Sequence, residues 1–372
     1  MKKINFRTLC FAILAFACLS PSFAKSVKKN ATRVIIDHDG EKVTIPAVVN
    51  KVAIVGIYPL PSVTTVFLGS SEKIVGIPPA SLGAAKAGLL GELFPDILTK
   101  PTSFTQGEDV NIEELMNLNP DVVFCSASNS KVKDAIKNAG IPCVAFSVNK
   151  WNYNILETYD GWIDLLSQVF PENTKKDKVS AYSKDVYNEI QAKVKDIPDS
   201  KKKKVLFLFQ YNDKTIVTSG KKFFGQYWCD AVGAKNVAES VAAENANAVI
   251  NMEQIYAWDP DVILITNFNS AVPDDIYTNK IGGYDWSSVK AVKNHQVFKM
   301  PLGSYRSYTP SADTPVTLTW IAQKVYPELF SGINLTARVK EYYKNMYNIN
   351  LTDDQISRMY NQTSAGAAGL KF

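Results

Sequence analysis

One fourteen-residue pattern occurs twice in this chain, and it constrains the fold more than any other feature. Asn111 to Phe124 reads NIEELMNLNPDVVF, and Asn251 to Leu264, 140 positions later, reads NMEQIYAWDPDVIL. Asn, Glu, Pro, Asp and Val recur at matching places, and most other positions exchange like for like, as Leu115 does with Ile255 and Val123 with Ile263. Each copy predicts a short helix with Asn111 or Asn251 as its N-cap, then a Pro-Asp turn and a buried, β-branched strand. Two copies of one helix–strand unit imply two similar lobes. A cleft between lobes is a preferred place for a small ligand.

The N-terminus bears on location. Lys2, Lys3 and Arg7 precede an apolar run from Leu9 to Leu19, and Ser22 and Ala24 put small residues at the −3 and −1 positions of a cleavage site. Residues 1–24 therefore read as a secretory signal removed before Lys25. The run has eleven residues, against about 20 for a membrane-spanning helix. Cys18 is a poor lipidation site because bulky Phe16 stands two places before it. No later segment is long and apolar enough to span a bilayer, so the mature chain is expected to be soluble, exported and periplasmic.

Loss of the signal lowers the formal charge from +5 to +2, which argues against nucleic acid or an anionic membrane as partner. The basic block Lys201 to Lys204 reads as a solvated start to the strand Val205 to Phe209. Of five cysteines, two lie in the signal and Cys125, Cys143 and Cys229 remain. Cys125 and Cys143 end and begin apolar strands, so a disulfide and two buried thiols both stay open. The two histidines, His38 and His295, read as surface or packing residues, and no spacing suggests a resident metal or other cofactor.

Along the mature chain, apolar strands alternate with helices, which predicts an α/β fold with largely parallel sheets. Thr32 to Ile45 reads as a hairpin turning at Asp39-Gly40, and Val52 to Ile57 as a continuous buried strand. Residues 25–153 form the expected N-terminal lobe and 201–330 the C-terminal lobe. Between them, 154–200 carries helical spacing through Trp162, Leu166, Val186 and Ile190, a helical spine with a helix of about 30 Å. A helical C-terminal extension, 331–372, is expected to lie on the body. The ligand cleft falls between the lobes.

Taken together, these residues resemble a known family. The order of exported signal, Pro-Asp motif in both halves, Thr218-Ser219-Gly220 after a strand, Gly233-Ala234-Lys235-Asn236, and a loop and helix from Pro301 to Leu318 looks like the class III periplasmic binding proteins, over roughly residues 32–330. The resemblance implies a monomeric solute-binding component of an ABC importer for ferric siderophores, haem or cobalamin. It also implies docking of Glu113 and Glu253 on an inner-membrane permease dimer, since two carboxylates at matching sites suit a two-fold partner. The same two acids also complement their helix dipoles.

Loops at the C-terminal ends of strands are expected to face the cleft. They carry the ligand-binding candidates Tyr58, Ser126, Trp151, Tyr211, Lys221, Asn267, Tyr305, Arg306 and Tyr308, with Ser128, Tyr153, Gln106, Glu108, Asn245 and Asn247 nearby. Arg306 between tyrosines suggests pairing with carboxylate, catecholate or oxyanion oxygens. The expected ligand is therefore an anionic metal chelate such as a ferric siderophore. Haem, corrinoid or metal-oxyanion binding are alternatives within the fold. An exported enzyme is disfavoured, because the chain lacks GxSxG, HExxH and a Cys–His signature.

Overall fold

The computed structural model describes residues 31–173, 175–245, 248–361 and 363–370. The expected signal 1–24 and Asn247 lie outside them.

The repeat behaves as two copies of one device. Asn111 Oδ1 accepts from the Glu114 backbone N–H at 3.2 Å, starting the helix Ile112–Asn117. Asn251 Oδ1 accepts from Gln254 N at 2.9 Å, and Gln254 Oε1 accepts from Asn251 N at 3.0 Å, a capping box on the helix Met252–Trp258. After each helix one residue turns left-handed, Asn119 at φ 47° and Asp259 at φ 45°, residue types that tolerate that region.

The Asp of each Pro-Asp pair then fastens a neighbouring strand. Asp121 N donates to Lys51 O at 2.8 Å, while its Oδ2 accepts from Asn50 N at 2.7 Å and Lys51 N at 2.9 Å. Asp261 does the same with Lys204, its N donating to Lys204 O and its Oδ2 accepting from Lys204 N, both at 2.8 Å.

The strands that follow, Val122–Ser126 and Val262–Ile265, sit at the same place in two four-stranded parallel sheets. The first sheet runs Ile74–Gly76, Val52–Ile54, Val122–Ser126, Cys143–Phe146; the second runs Lys235–Asn236, Lys204–Leu208, Val262–Ile265, Val297–Lys299. In chain order within its lobe, each sheet reads second, first, third, fourth. Both faces are covered, so the central strands are buried at every position, as continuous apolar runs require. The hairpin is Thr32–Ile36 against Lys42–Pro46. The first sheet strand ends at Ile54 rather than Ile57, because Gly56 at φ 72° turns the chain out of the sheet.

Several helices tie the lobes together, among them Ile155–Val169, with Ile155 in the C-terminal core and Trp162 in the N-terminal one. Lys176–Val194, 19 residues and roughly 30 Å long, buries Val179 in the N-terminal core with Trp162 and Val169. Its Val186, Ile190 and Val194 enter the C-terminal core beside Trp228. Thr314–Val325 bridges in the same way, with Val316 in the first core and Leu318, Ile321 and Val325 in the second.

The extension is part of the body rather than a layer on it. Helices Leu335–Tyr347 and Asp353–Met359 return to the N-terminal lobe, burying Val339, Tyr342, Tyr343, Ile356 and Met359 in its core. The hydroxyls of Tyr159, Tyr342 and Tyr347 bond to one another there. Cys125, Cys143 and Cys229 are buried free thiols, which decides between the two readings of the first pair. His38 is a packing residue: Nδ1 accepts from Ser147 N at 3.1 Å, Nε2 faces Gly161 O at 3.2 Å, and burial lowers its pKa to about 4.

Candidate functional site

A cavity of about 880 Å³ opens between the lobes at the C-terminal ends of the parallel strands. Its volume is in the range of small-molecule sites. The N-terminal lobe supplies a polar wall. Gly56 and Tyr58 follow the first strand, Ser126 ends the third, and a tight hairpin of Thr105–Gln106 with Asp109–Val110 projects Gln106, Gly107 and Glu108 inward. Ser126 and Ser128 share a hydroxyl hydrogen bond of 2.9 Å, and Ser81 Oγ anchors the Tyr58 carbonyl at 2.7 Å.

The C-terminal lobe supplies an aromatic wall of Phe209, Phe223, Phe224 and Phe268. Phe209 and Phe268 stack with centroids 4.9 Å apart, and Phe209 meets Phe223 edge-on at 5.0 Å, geometries that aromatic quadrupoles favour. Where the lobes meet, the Tyr153 hydroxyl donates to Asn245 Oδ1, and both residues line the cavity. Glu108 is the one charged side chain among the described lining residues. Burial raises the pKa of both the Tyr58 and the Tyr305 phenols. Both stay protonated at neutral pH, as hydrogen-bond donors rather than ready phenolate ligands.

Of the nine ligand candidates, the structure brings Tyr58, Ser126 and Tyr305 to the cavity, and Gln106, Glu108, Ser128, Tyr153 and Asn245 join them. The other six lie elsewhere. Tyr211 is buried under Trp286, whose Nε1 donates to its hydroxyl at 3.0 Å. Tyr308 is wholly buried behind the aromatic wall, its ring 5.4 Å from that of Phe209, and its hydroxyl accepts from Gly225 N at 3.1 Å. Trp151 packs edge-on against His38 and over Gly161. Asn267 is buried and donates to Met300 O at 2.7 Å. Lys221 is exposed on a loop outside the lining.

Arg306 is the largest departure. Residues 300–313 form a loop that is buried throughout, and Arg306 at 0 % exposure donates to backbone carbonyls instead of facing the cleft. The same loop is stapled from within by Asp313, whose Oδ2 accepts from Ser304 N and Oγ, both at 2.7 Å.

The aromatic wall escaped the sequence reading because Phe209 and Phe268 just beyond strand ends look like core. The Phe223-Phe224 doublet beside Ser219-Gly220 was its only local sign. Outside the cavity lining, Glu113 and Glu253 are exposed in the first turns of the two repeat helices. One turn further, the matching residues Met116 and Tyr256 are also exposed, at 52 % and 41 %.

Comparison with known proteins agrees with this architecture. The profile of the family described as periplasmic binding protein matches residues 54–302. The molybdate-binding protein MolA of Haemophilus influenzae is 26 % identical over 366 residues, covering 93 % of this chain and 99 % of that one. The Fe(3+)-citrate-binding protein YfmC of Bacillus subtilis is 22 % identical over 327 residues, 85 % and 96 % of the two chains. Among solved structures, a periplasmic solute binding protein of Veillonella parvula superposes with a TM-score of 0.78 at 32 % identity, covering 89 % of this chain and 97 % of its own.

Proposed function

The chain belongs to the periplasmic binding protein family, and from that premise we propose that its cavity captures a neutral or cationic metal chelate, a ferric siderophore or related complex. It is a solute-binding component of an ABC transporter, acting outside the cytoplasm, and not an enzyme. The observation that carries the ligand class is the pairing of the two walls. An organic shell stacks on Phe209, Phe223 and Phe268 while its polar rim meets the hydroxyls and amides of Ser126, Ser128 and Gln106. Among the described residues, no three His, Cys, Asp or Glu side chains are grouped to hold a bare metal ion, so the metal arrives with its own ligands.

The anionic chelate expected from Arg306 gives way to a neutral or cationic one, because that guanidinium is bonded to carbonyls and does not line the cavity. The molybdate-binding relative makes oxyanion capture the competing reading. Against it stand the size of the cavity and the lack of a cation among its described lining residues. Glu113 and Glu253 dock the loaded monomer on the permease dimer, and export follows cleavage after Ala24.

Native mass spectrometry of protein purified from its own host identifies a co-purifying ligand by mass. Titration with a ferric trihydroxamate, ferric citrate, haem, cobalamin and molybdate then ranks the classes. The neutral ferric chelate is expected to bind most tightly; preferential binding of molybdate would overturn the assignment.

A further inference from the structure

Residues 363–370 form a strap against the cavity, with Gly369 and Leu370 in its wall, and Arg306 holds it. Arg306 Nε donates to Gly366 O at 2.7 Å, Nη2 to Ala368 O at 2.8 Å, and Nη1 to Ala80 O at 3.1 Å and to the Tyr305 hydroxyl at 2.9 Å. None of these partners is a carboxylate. A fully buried guanidinium ordinarily pairs with an anion, since desolvation of an unpaired charge is costly; here carbonyl dipoles stand in the anion's place. The guanidinium also lies 5.0 Å from the Tyr305 ring centroid and 5.6 Å from that of Phe268. Both rings line the cavity, as does Ala80, so Arg306 lies directly behind its wall.

The strap is seated by backbone-to-backbone fit. A Cβ on Gly83, in the helix Pro79–Ala87, would collide with Ala368 O, and one on Gly366 would collide with the Asn267 side chain. Gly369, at φ +80°, would bring a Cβ to 2.8 Å from Pro79 O. Asn267 Oδ1, buried and without a hydrogen-bond partner among the described residues, lies at this seat. The strap thus touches the N-terminal lobe through Pro79, Ala80 and Gly83 and the C-terminal lobe through Asn267 and Arg306, and Gly369 and Leu370 complete the cavity wall.

We propose that this strap is a specificity-determining segment: its carbonyls occupy the anion-binding face of Arg306, so a ligand in the cavity meets no fixed positive charge there. The proposal rests on the reading that the inter-lobe cavity is the ligand site. With the strap seated the protein discriminates against oxyanions and carboxylate-rich chelates; with the strap displaced, Arg306 becomes a bidentate anion subsite.

The test uses full-length protein. Gly83→Val and, from the opposite side, Gly366→Val push the strap off without altering Arg306; the second serves if the first fails to fold. Hydrogen exchange without ligand should show amides 363–370 protected in the parent and exchanging at least tenfold faster in either variant. Calorimetric titration with molybdate and with ferric citrate should show at least a tenfold gain in affinity in the variants, and adding Arg306→Gln should cancel that gain. An unprotected strap in the parent, unchanged exchange in both variants, or a displaced strap with no anion gain would each overturn the proposal. A ferric trihydroxamate titrated into the parent separates the two readings. If it fails to bind while the anion gain appears, the chelate assignment falls and the strap assignment stands.

Discussion

The two lobes share a strand order, a capped helix and an Asp that fastens the neighbouring strand, yet they offer the cavity opposite chemistry. The N-terminal lobe presents Ser126, Ser128, Gln106 and Glu108 from strand ends and a two-residue hairpin. The C-terminal lobe presents Phe209, Phe223, Phe224 and Phe268 from the corresponding edge. What repeats is the part that builds backbone hydrogen bonds and sheet order, where few residue types work. What diverges are the loops at the strand ends, which answer only to the ligand. The outer repeat helices belong to the first class, and they keep Glu113 and Glu253 exposed in register.

That contrast yields graded expectations. The largest effect concerns the repeated halves of the pattern. Glu113→Arg with Glu253→Arg should reduce uptake of the bound chelate to background while its Kd moves by less than about twofold, as an exposed surface change outside the cavity lining should. Each single reversal should cause a similar partial loss; strongly unequal losses would break the pseudo-symmetry, and a large loss of affinity would remove the docking role.

Next comes the aromatic wall. Phe223→Ala or Phe268→Ala should weaken ferric trihydroxamate binding by about tenfold to a hundredfold, roughly 1.5–3 kcal/mol for a buried aromatic contact. Unchanged affinity in both would mean that the ligand sits on the polar wall alone.

Stability should divide between the lobes by pH. Burial depresses His38, in the N-terminal lobe, to about 4. The unfolded chain therefore takes up a proton at about 6.5 that the folded one refuses. Stability is fully present above pH 6.5 and falls by up to roughly 3 kcal/mol as pH drops to 4. Denaturant melts of His38→Gln should lose most of that slope; an unchanged slope would acquit His38. In the C-terminal lobe, burial depresses Lys299, whose Nζ donates to Asn269 O and Ala271 O at 2.7 and 2.6 Å, from 10.5 to about 7. The sign is the same, with stability present above the unfolded pKa and lost as pH falls towards 7. Lys299→Met should flatten the melts between pH 10 and 7 and leave the acid limb untouched.

The smallest effect belongs to the polar wall. Ser128→Ala, which removes one hydroxyl, should cost about twofold to tenfold in affinity, the worth of a single hydrogen bond. A loss larger than that of Phe268→Ala would reverse the ranking of the walls.

Much of the scaffold was legible in the linear chain because its causes are local. Asn111 and Asn251 had to accept from an N–H three residues on, and the β-branched runs that follow at Val122 and Val262 read as the central strands they are. The spine was legible in its 3.6-residue spacing. Site residues were harder to read. Tyr58, Ser126 and Tyr305 reach the cavity, whereas Tyr211 and Tyr308 carry the same loop signature and are buried under Trp286 and behind Phe209. A tyrosine after a strand looks alike in both situations. Arg306 was legible as a group in need of an anion-like partner. Its partners were not, because backbone carbonyls of Gly366 and Ala368 have no side-chain signature and lie some sixty positions away.

By itself, the sequence determined that this chain folds into two matched α/β units around a common spine, since capping, turn chemistry and apolar periodicity act over a few residues and leave their mark in residue identity. Only the tertiary structure decided which side chains the cavity receives and that Arg306 spends its charge on the chain's own strap. Those outcomes depend on burial and on backbone groups brought together from distant segments, and every residue carries the same backbone donors and acceptors.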